Sequence, residues 1–167
     1  MQVEVRRART SDIKAIRALV DTYTTDRRLL SKATVTLYEQ VQEFWVAADT
    51  QSGRVVGCGA LHVMWEDLAE IRTVAVDPAC RGQKIGHRIV TELLSVAREL
   101  GVARVFCLTF ETRFFGSFGF AEIDGAPVPH GVYEQLLRSY DEGVAEFLDL
   151  ERVKPNTLGN TRMLLHL

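Results

Sequence analysis

Apolar and polar positions alternate along residues 2–7 (Gln-Val-Glu-Val-Arg-Arg), which predicts a first strand. Thr10, Ser11 and Asp12 then offer N-cap oxygens to a helix whose Ile13, Ile16, Leu19, Val20 and Tyr23 share one stripe. The stretch 24–36 is polar and basic without a period and reads as a loop leading into a short helix. Phe44 to Ala48 is a buried strand closed by the turn Asp49-Thr50-Gln51-Ser52-Gly53. Arg54 to Trp65 predicts a second, longer strand in which Gly57 and Gly59 mark a close backbone approach or a bulge. A β-rich run over 69–76 ends at Asp77-Pro78. A helix over 83–100 follows, with Ile85, Ile89, Leu93, Ala97 and Leu100 on one face and Gly101 at the C′ position. Arg104 to Thr109 is a further strand, and a short helix near Thr112 to Phe118 precedes Gly119-Phe120-Ala121-Glu122-Ile123. Beyond Pro127 and Pro129, the spacing of Val132, Leu136, Tyr140, Val144 and Phe147 predicts one helix over 131–148, and Thr161 to Leu167 is the last strand.

Strands mixed with helices, without a repeat or linker, predict a single domain over 1–167 of α/β (α+β) class, in which the strands of 43–65 are antiparallel neighbours. A content of 47% hydrophobic and 25% charged residues is that of an ordinary globule, and a net charge of −2 argues against a dedicated nucleic-acid binder. No apolar run approaches the ~20 residues of a membrane helix, and the N-terminus has no signal-peptide pattern. Cys58, Cys80 and Cys107 are odd in number and outside any metal-ligand spacing, which favours a reducing, cytoplasmic setting. The four histidines are scattered, and no metal is expected. The outer face of the 131–148 helix is acidic (Glu134, Asp141, Glu142, Glu146) and reads as solvated by default, or else as the surface of a homodimer.

Arg81-Gly82-Gln83-Lys84-Ile85-Gly86 lies where the 69–76 strand feeds the long helix. Such a corner aims unpaired N–H groups and the positive end of the helix dipole at one spot, which suits a phosphate or pyrophosphate. A plain strand–loop–helix corner with surface basic residues is the bland alternative; two basic residues and two glycines together favour the ligand. Glu70 interrupts an otherwise apolar strand, and a period of two puts Arg72 on its face. A carboxylate there could take a proton from an amine, worth roughly 10²–10⁴ in rate, or could simply pair with Arg72 on a wet face.

From about residue 3 to 123 this order resembles the GNAT acetyltransferase superfamily, on the Glu70–Val76 strand, the Arg81–Gly86 loop and the Gly119-Phe120 pair after a short aromatic helix. The loop departs from that family's Gln/Arg-x-x-Gly-x-Gly/Ala pattern at Lys84, which stands where a glycine is usual. A closer resemblance is to the catalytic domain of N-acetylglutamate synthases, carried by Ala69-Glu70-Ile71, Val74 to Pro78, Val105 to Thr109, Phe114-Phe115 and Asn160 to Leu164. That family carries an amino-acid-kinase-like domain ahead of this part; none is present in this sequence, so arginine feedback through one is not expected.

The resemblance implies a mixed, mostly antiparallel sheet of about seven strands with helices on both faces, and acetyl-CoA as cosubstrate. It gives the amides of Gly82, Gln83, Lys84, Ile85, Gly86 and His87 to the pyrophosphate, with charge from Arg81 and Lys84. It lays the pantetheine arm along Val74, Ala75 and Val76, makes Glu70 the general base, and points to the Val74 N–H for the oxyanion. A tyrosine acid frequent in the family is replaced by Phe115, which leaves the thiolate's proton donor open. Lys32, Arg72 and Arg162 are candidates to hold an acceptor carboxylate, with Thr73 and Asn160 beside them. The implied function is N-acetylation of the α-amino group of a free amino acid, L-glutamate first and L-glutamine second, by direct attack, at the entry to arginine synthesis. The rivals are a protein or peptide acetyltransferase and a non-catalytic acyl-CoA sensor.

Overall fold

A computed structural model describes residues 1–24, 32–157 and 159–167; most of the expected 24–36 loop, residues 25–31, lies outside them. The strands are β1 (Val3–Arg7), β2 (Phe44–Asp49), β3 (Val55–Trp65), β4 (Leu68–Val76), β5 (Arg104–Thr109), β6 (Ala121–Glu122) and β7 (Thr161–His166). The helices are α1 (Ile13–Thr24), α2 (Thr34–Glu39), α3 (Ile85–Glu99), α4 (Thr112–Gly116), α5 (His130–Leu136), α6 (Glu142–Phe147) and α7 (Lys154–Thr157). The strands form one seven-stranded sheet in the order β1-β2-β3-β4-β5-β7-β6. β1–β2, β2–β3, β5–β7 and β6–β7 are antiparallel, while β4–β5 is parallel, as its long crossover through α3 requires. The chain divides into two compact units, Met1–Leu61 with Thr73–Val96 and His62–Arg72 with Ala97–Leu167.

In the first unit, period two along β3 explains the helix placement. Cys58 and Ala60 join Ile13, Ile16, Leu19 and Val20 of α1 and Leu37 of α2 in one buried cluster. Gly57 and Gly59 point the other way, under α3: a Cβ on Gly59 would lie 2.8 Å from Ile89 Cγ2 and 3.1 Å from Leu93 Cδ1. The two glycines therefore let α3 settle on the strand, and helices cover both faces of β3. A bulge where Ala47 pairs Gly57 but Ala48 pairs Val55 adds a local kink to the same ladder. Ile89 Cγ2 sits on a β-branch that cannot swing aside without a change of χ1. Gly59→Ala is thus expected to lower stability by roughly 1–3 kcal/mol through overpacking; an unchanged denaturation midpoint would show that α3 is not seated against this glycine.

α3 ends as its sequence indicates. Gly101 is left-handed (φ 84), Gly101 N–H donates to Arg98 O and Val102 N–H to Ala97 O, the two bonds of a Schellman cap. Leu100 consequently falls beyond the apolar stripe and is exposed, a correction to its expected place on it. Asp12 differs as well. Its carboxylate accepts from Arg9 N–H and from both terminal nitrogens of Arg6, fixing a 3-10 turn ahead of α1 instead of capping the helix itself.

In the second unit, Met64, Leu68, Phe106, Leu136, Val144, Phe147, Leu148 and Leu164 form the core. The single helix expected over 131–148 is two short ones, α5 and α6, because the chain breaks at Ser139 to Asp141, where the Asp141 carboxylate caps α6 by accepting from Val144 N–H. Tyr140, expected on the apolar stripe, is wholly exposed at that break. Nor is the acidic face solvated throughout: Glu146 is buried and Asp141 nearly so.

Candidate active site

β4 begins in the second unit and ends in the first. Glu70 is 2% exposed, so its charge cannot rest on water. Arg72 Nε lies 2.9 Å from Glu70 Oε1, and Arg72 Nη1 donates to Asp141 Oδ2 at 2.9 Å. His62 Nε2 stands 3.8 Å from the same Asp141 oxygen. Burial pushes the Asp141 carboxyl up, but the Arg72 hydrogen bond, the charges of Arg72 and His62 and the Val144 N–H together hold it below the usual range. Gly143, in the first turn of α6, packs directly on this cluster: a Cβ there would lie 2.3 Å from Glu70 Oε1 and 3.2 Å from Arg72 Cζ. The alternative of a Glu70–Arg72 pair on a wet face does not hold, because the two lie in a buried network of two carboxylates around one guanidinium.

Thr73 adopts φ 57 in the middle of β4, a left-handed conformation that a β-branched residue rarely takes. It re-aims the peptide groups that adjoin Val74. The Thr73 side chain is buried, and its carbonyl accepts a weak bond from Cys58 Sγ at 3.4 Å. Asp77 N–H donates to Val56 O at 2.8 Å, so alternation turns Ala75 towards β3 and the main chain of Val74 and Val76 towards the opposite edge. On that edge Tyr23 Oη donates to Val76 O at 2.5 Å. The Val76 carbonyl is therefore satisfied from within the protein, and a pantetheine arm would look to N–H groups for its bonds there.

After β4, Asp77 accepts from Ala79 N–H and from Arg54, closing a short 3-10 turn before the loop. Gly82 (φ 82) and Lys84 (φ 58) are both left-handed. Lys84 thus takes the backbone conformation for which a glycine is usual, at a strain of about 1–2 kcal/mol, and the loop keeps its shape despite the substitution. Arg88 N–H donates to Lys84 O, so the helix ladder starts at Lys84 and the amides of Ile85, Gly86 and His87 lie in its first turn. Arg81 and Lys84 flank them. This donor set fits a diphosphate. His87 also lines, with Val3, Val5, Thr50 and Thr91, a cavity of about 660 Å³ beside β1.

The sequence matches the model of the acetyltransferase (GNAT) family over residues 13–122. The chain belongs to the GNAT acetyltransferase family. The amino-acid acetyltransferase of Mycobacterium tuberculosis is 65% identical over 96% of this chain and 92% of its own length. That of Neisseria meningitidis serogroup A is 31% identical over 71% of this chain and 27% of its own. Among solved structures, Rv2747 from Mycobacterium tuberculosis in complex with CoA and NLQ is similar at TM-score 0.95 and 65% identity, covering 98% of this chain and 99% of that one. N-acetylglutamate synthase from Neisseria gonorrhoeae, complexed with coenzyme A and N-acetyl-glutamate, shares the fold at TM-score 0.78 and 22% identity, over 100% of this chain and 35% of that one. The cosubstrate of this GNAT acetyltransferase is acetyl-CoA.

The candidates for an acceptor clamp fare unequally in this acetyltransferase. Arg162 Nη1 donates to Glu146 O at 2.6 Å, and Nη2 donates to Phe147 O at 2.5 Å and Gly125 O at 2.7 Å. Its guanidinium lies over the Phe106 ring at 5.2 Å. Both hydrogens of Nη2 are spent, so no two-pronged grip on a carboxylate is left, and Arg162 is corrected from clamp to scaffold. Arg72 turns Nε towards Glu70 at 2.9 Å and donates from Nη1 to Asp141. Lys32 Nζ donates to Gln40 Oε1 at 3.3 Å, and its carbonyl accepts from Arg17 Nη1. Asn160 Oδ1 is buried with no hydrogen-bond partner among the described residues, an acceptor suited to a ligand N–H.

Phe115 is buried and makes edge contacts with Phe114 and Phe120, a packing role, while Ser117 Oγ donates to Phe114 O and closes α4. Asp141, His62 and Gly143 beside Glu70 and Arg72, and the bond from Tyr23 to Val76 O, are placements that periodicity did not give. A glycine two residues after an aspartate, at the start of a helix, was the signal available for Asp141 and Gly143.

Proposed function

We propose that the protein transfers the acetyl group of acetyl-CoA to the α-amino group of a free amino acid, L-glutamate or L-glutamine, as the first step of arginine biosynthesis in the cytoplasm. The observation that carries this reading is the buried Glu70 cluster. Two carboxylates stand against the one Arg72 guanidinium, an acidic surrounding that complements an ammonium that must be caught and deprotonated. The name of the 65% identical relative supports a free amino acid as acceptor, and the N-acetyl-glutamate of the gonococcal synthase supports glutamate.

Glu70 takes the amine proton, directly or through one water. The Val74 N–H stabilises the oxyanion, and the amides at the start of α3, with Arg81 and Lys84, hold the diphosphate. Lys32 meets the α-carboxylate of the amino acid, and Asn160 Oδ1 accepts a hydrogen bond from one of its N–H groups. Transfer is direct. Burial and the nearby Glu70 charge push the Cys107 thiol well up, and burial pushes Cys58 up to about 12, so neither offers a thiolate at neutral pH.

Release of free thiol from acetyl-CoA in the presence of glutamate, glutamine, other amino acids or a lysine peptide tests the reading. Turnover is expected with glutamate or glutamine. Turnover with the peptide alone would overturn it, and binding of acetyl-CoA without turnover on any acceptor would make the protein a sensor.

A further inference from the structure

Arg72 poses a problem for Glu70. A guanidinium 2.9 Å from a buried carboxylate holds the charged form so firmly that the carboxylate becomes a poor proton acceptor. The fold answers with a second carboxylate on the far side of the same guanidinium. Asp141 reaches Arg72 Nη1 from the residue that caps α6, while Arg72 Nε faces Glu70. Arg72 is thereby shared between two anions.

Asp141 is itself fixed from both ends. Its Oδ1 accepts from Val144 N–H at 3.0 Å, and its own N–H donates to Ser139 Oγ at 3.1 Å. Gly143 removes the one Cβ that would push α6 off Glu70. The arrangement cannot be read as a helix cap alone, because a cap needs only one of the carboxylate oxygens; the other is spent on Arg72.

We propose that Asp141 is a positioning residue for acetyl transfer, drawing the Arg72 charge away from Glu70 so that Glu70 accepts the acceptor's ammonium proton. This rests on Glu70 being the general base. Four groups around Glu70 and Arg72 enter the balance among the described residues. Arg72 comes from β4 and Asp141 from the turn before α6. His62 of β3 lies 3.8 Å from Asp141, and the Cys107 thiol of β5 feels the Glu70 charge. The sign is fixed: a base works only when deprotonated, so its rate falls with pH through an acid limb. Loss of the Asp141 charge favours the Glu70 anion and moves that limb to lower pH, with a lower plateau.

The test is the pH profile of kcat for Asp141→Ser, which keeps a good N-cap without the charge, and for Asp141→Asn, which keeps the size, each beside Glu70→Gln. The proposal expects the acid limb of both Asp141 variants to move down by about one pH unit and the plateau to fall about tenfold, with KM for acetyl-CoA unchanged. A fall in kcat with the limb in place, or no change in either, would assign Asp141 to helix capping and overturn the proposal. An acid limb that survives in Glu70→Gln would instead remove Glu70 as the base, a result distinct from failure of Asp141's role. Should Asp141→Ser fail to fold, Asp141→Asn decides by the same criteria.

Discussion

Glu70→Gln is expected to lower kcat by roughly 10²–10⁴-fold at neutral pH while the affinity for acetyl-CoA holds. The substitution keeps the volume that packs on Gly143 and leaves Arg72 its bond to Asp141, so no uncompensated charge is created. It removes the only group in the cluster whose carboxylate stands on β4. The proposed diphosphate site, by contrast, uses the main chain of 82–87 and would not depend on this side chain. The prediction therefore separates the chemical step from binding. Titration calorimetry with coenzyme A beside steady-state rates measures both. A kcat within a few-fold of the parent would sink the base assignment, and a parallel loss of cofactor affinity would mean that the substitution had disturbed the fold.

The part of the molecule legible in the sequence is the part where a single period governs. Ile85, Ile89, Leu93 and Ala97 are buried along α3, and Gly57 and Gly59 are where the helix approaches, because one helix lying on one strand imposes both patterns. The 131–148 region deceives for a related reason. α5 and α6 each send apolar residues into the same core, so Leu136, Val144 and Phe147 keep a helical spacing across a break that carries exposed Tyr140. Reading through the break placed Asp141 on a solvated face, and with it the group that shares Arg72. Glu70 was visible because a charge in an apolar strand is conspicuous; Asp141, which pairs with Arg72 from 69 residues on, was not, since a long-range ion pair leaves no local trace. Lys84 shows the same limit. Its departure from glycine was plain, but only the backbone angle reveals that the lysine adopts the glycine's conformation.

Arg162→Ala is expected to cost roughly 1–3 kcal/mol of stability, the range for leaving buried carbonyls without their donor. The guanidinium donates to the carbonyls of Glu146 and Phe147, the last residues of α6, and to Gly125 in the loop after β6. The Glu146 carbonyl also accepts from Asp149 N–H at 3.1 Å, so Arg162 matters most to the carbonyls of Phe147 and Gly125, and a cation there also meets the negative end of the helix dipole. Burial pulls the Arg162 pKa down against the raising charges of Asp149, Glu146 and Asp124, so the side chain is partly desolvated, and its removal leaves carbonyls that water reaches poorly. Arg162→Lys should recover part of the loss, since one ammonium cannot span three carbonyls in the fixed geometry of a guanidinium. Chemical denaturation of the variants measures the effect. α6 also carries Gly143 against Glu70 and starts at Asp141, so a loosened helix end should lower kcat as well. A carboxylate clamp would behave otherwise, raising KM for the amino acid with the denaturation midpoint intact, and that pattern would restore Arg162 to the acceptor site.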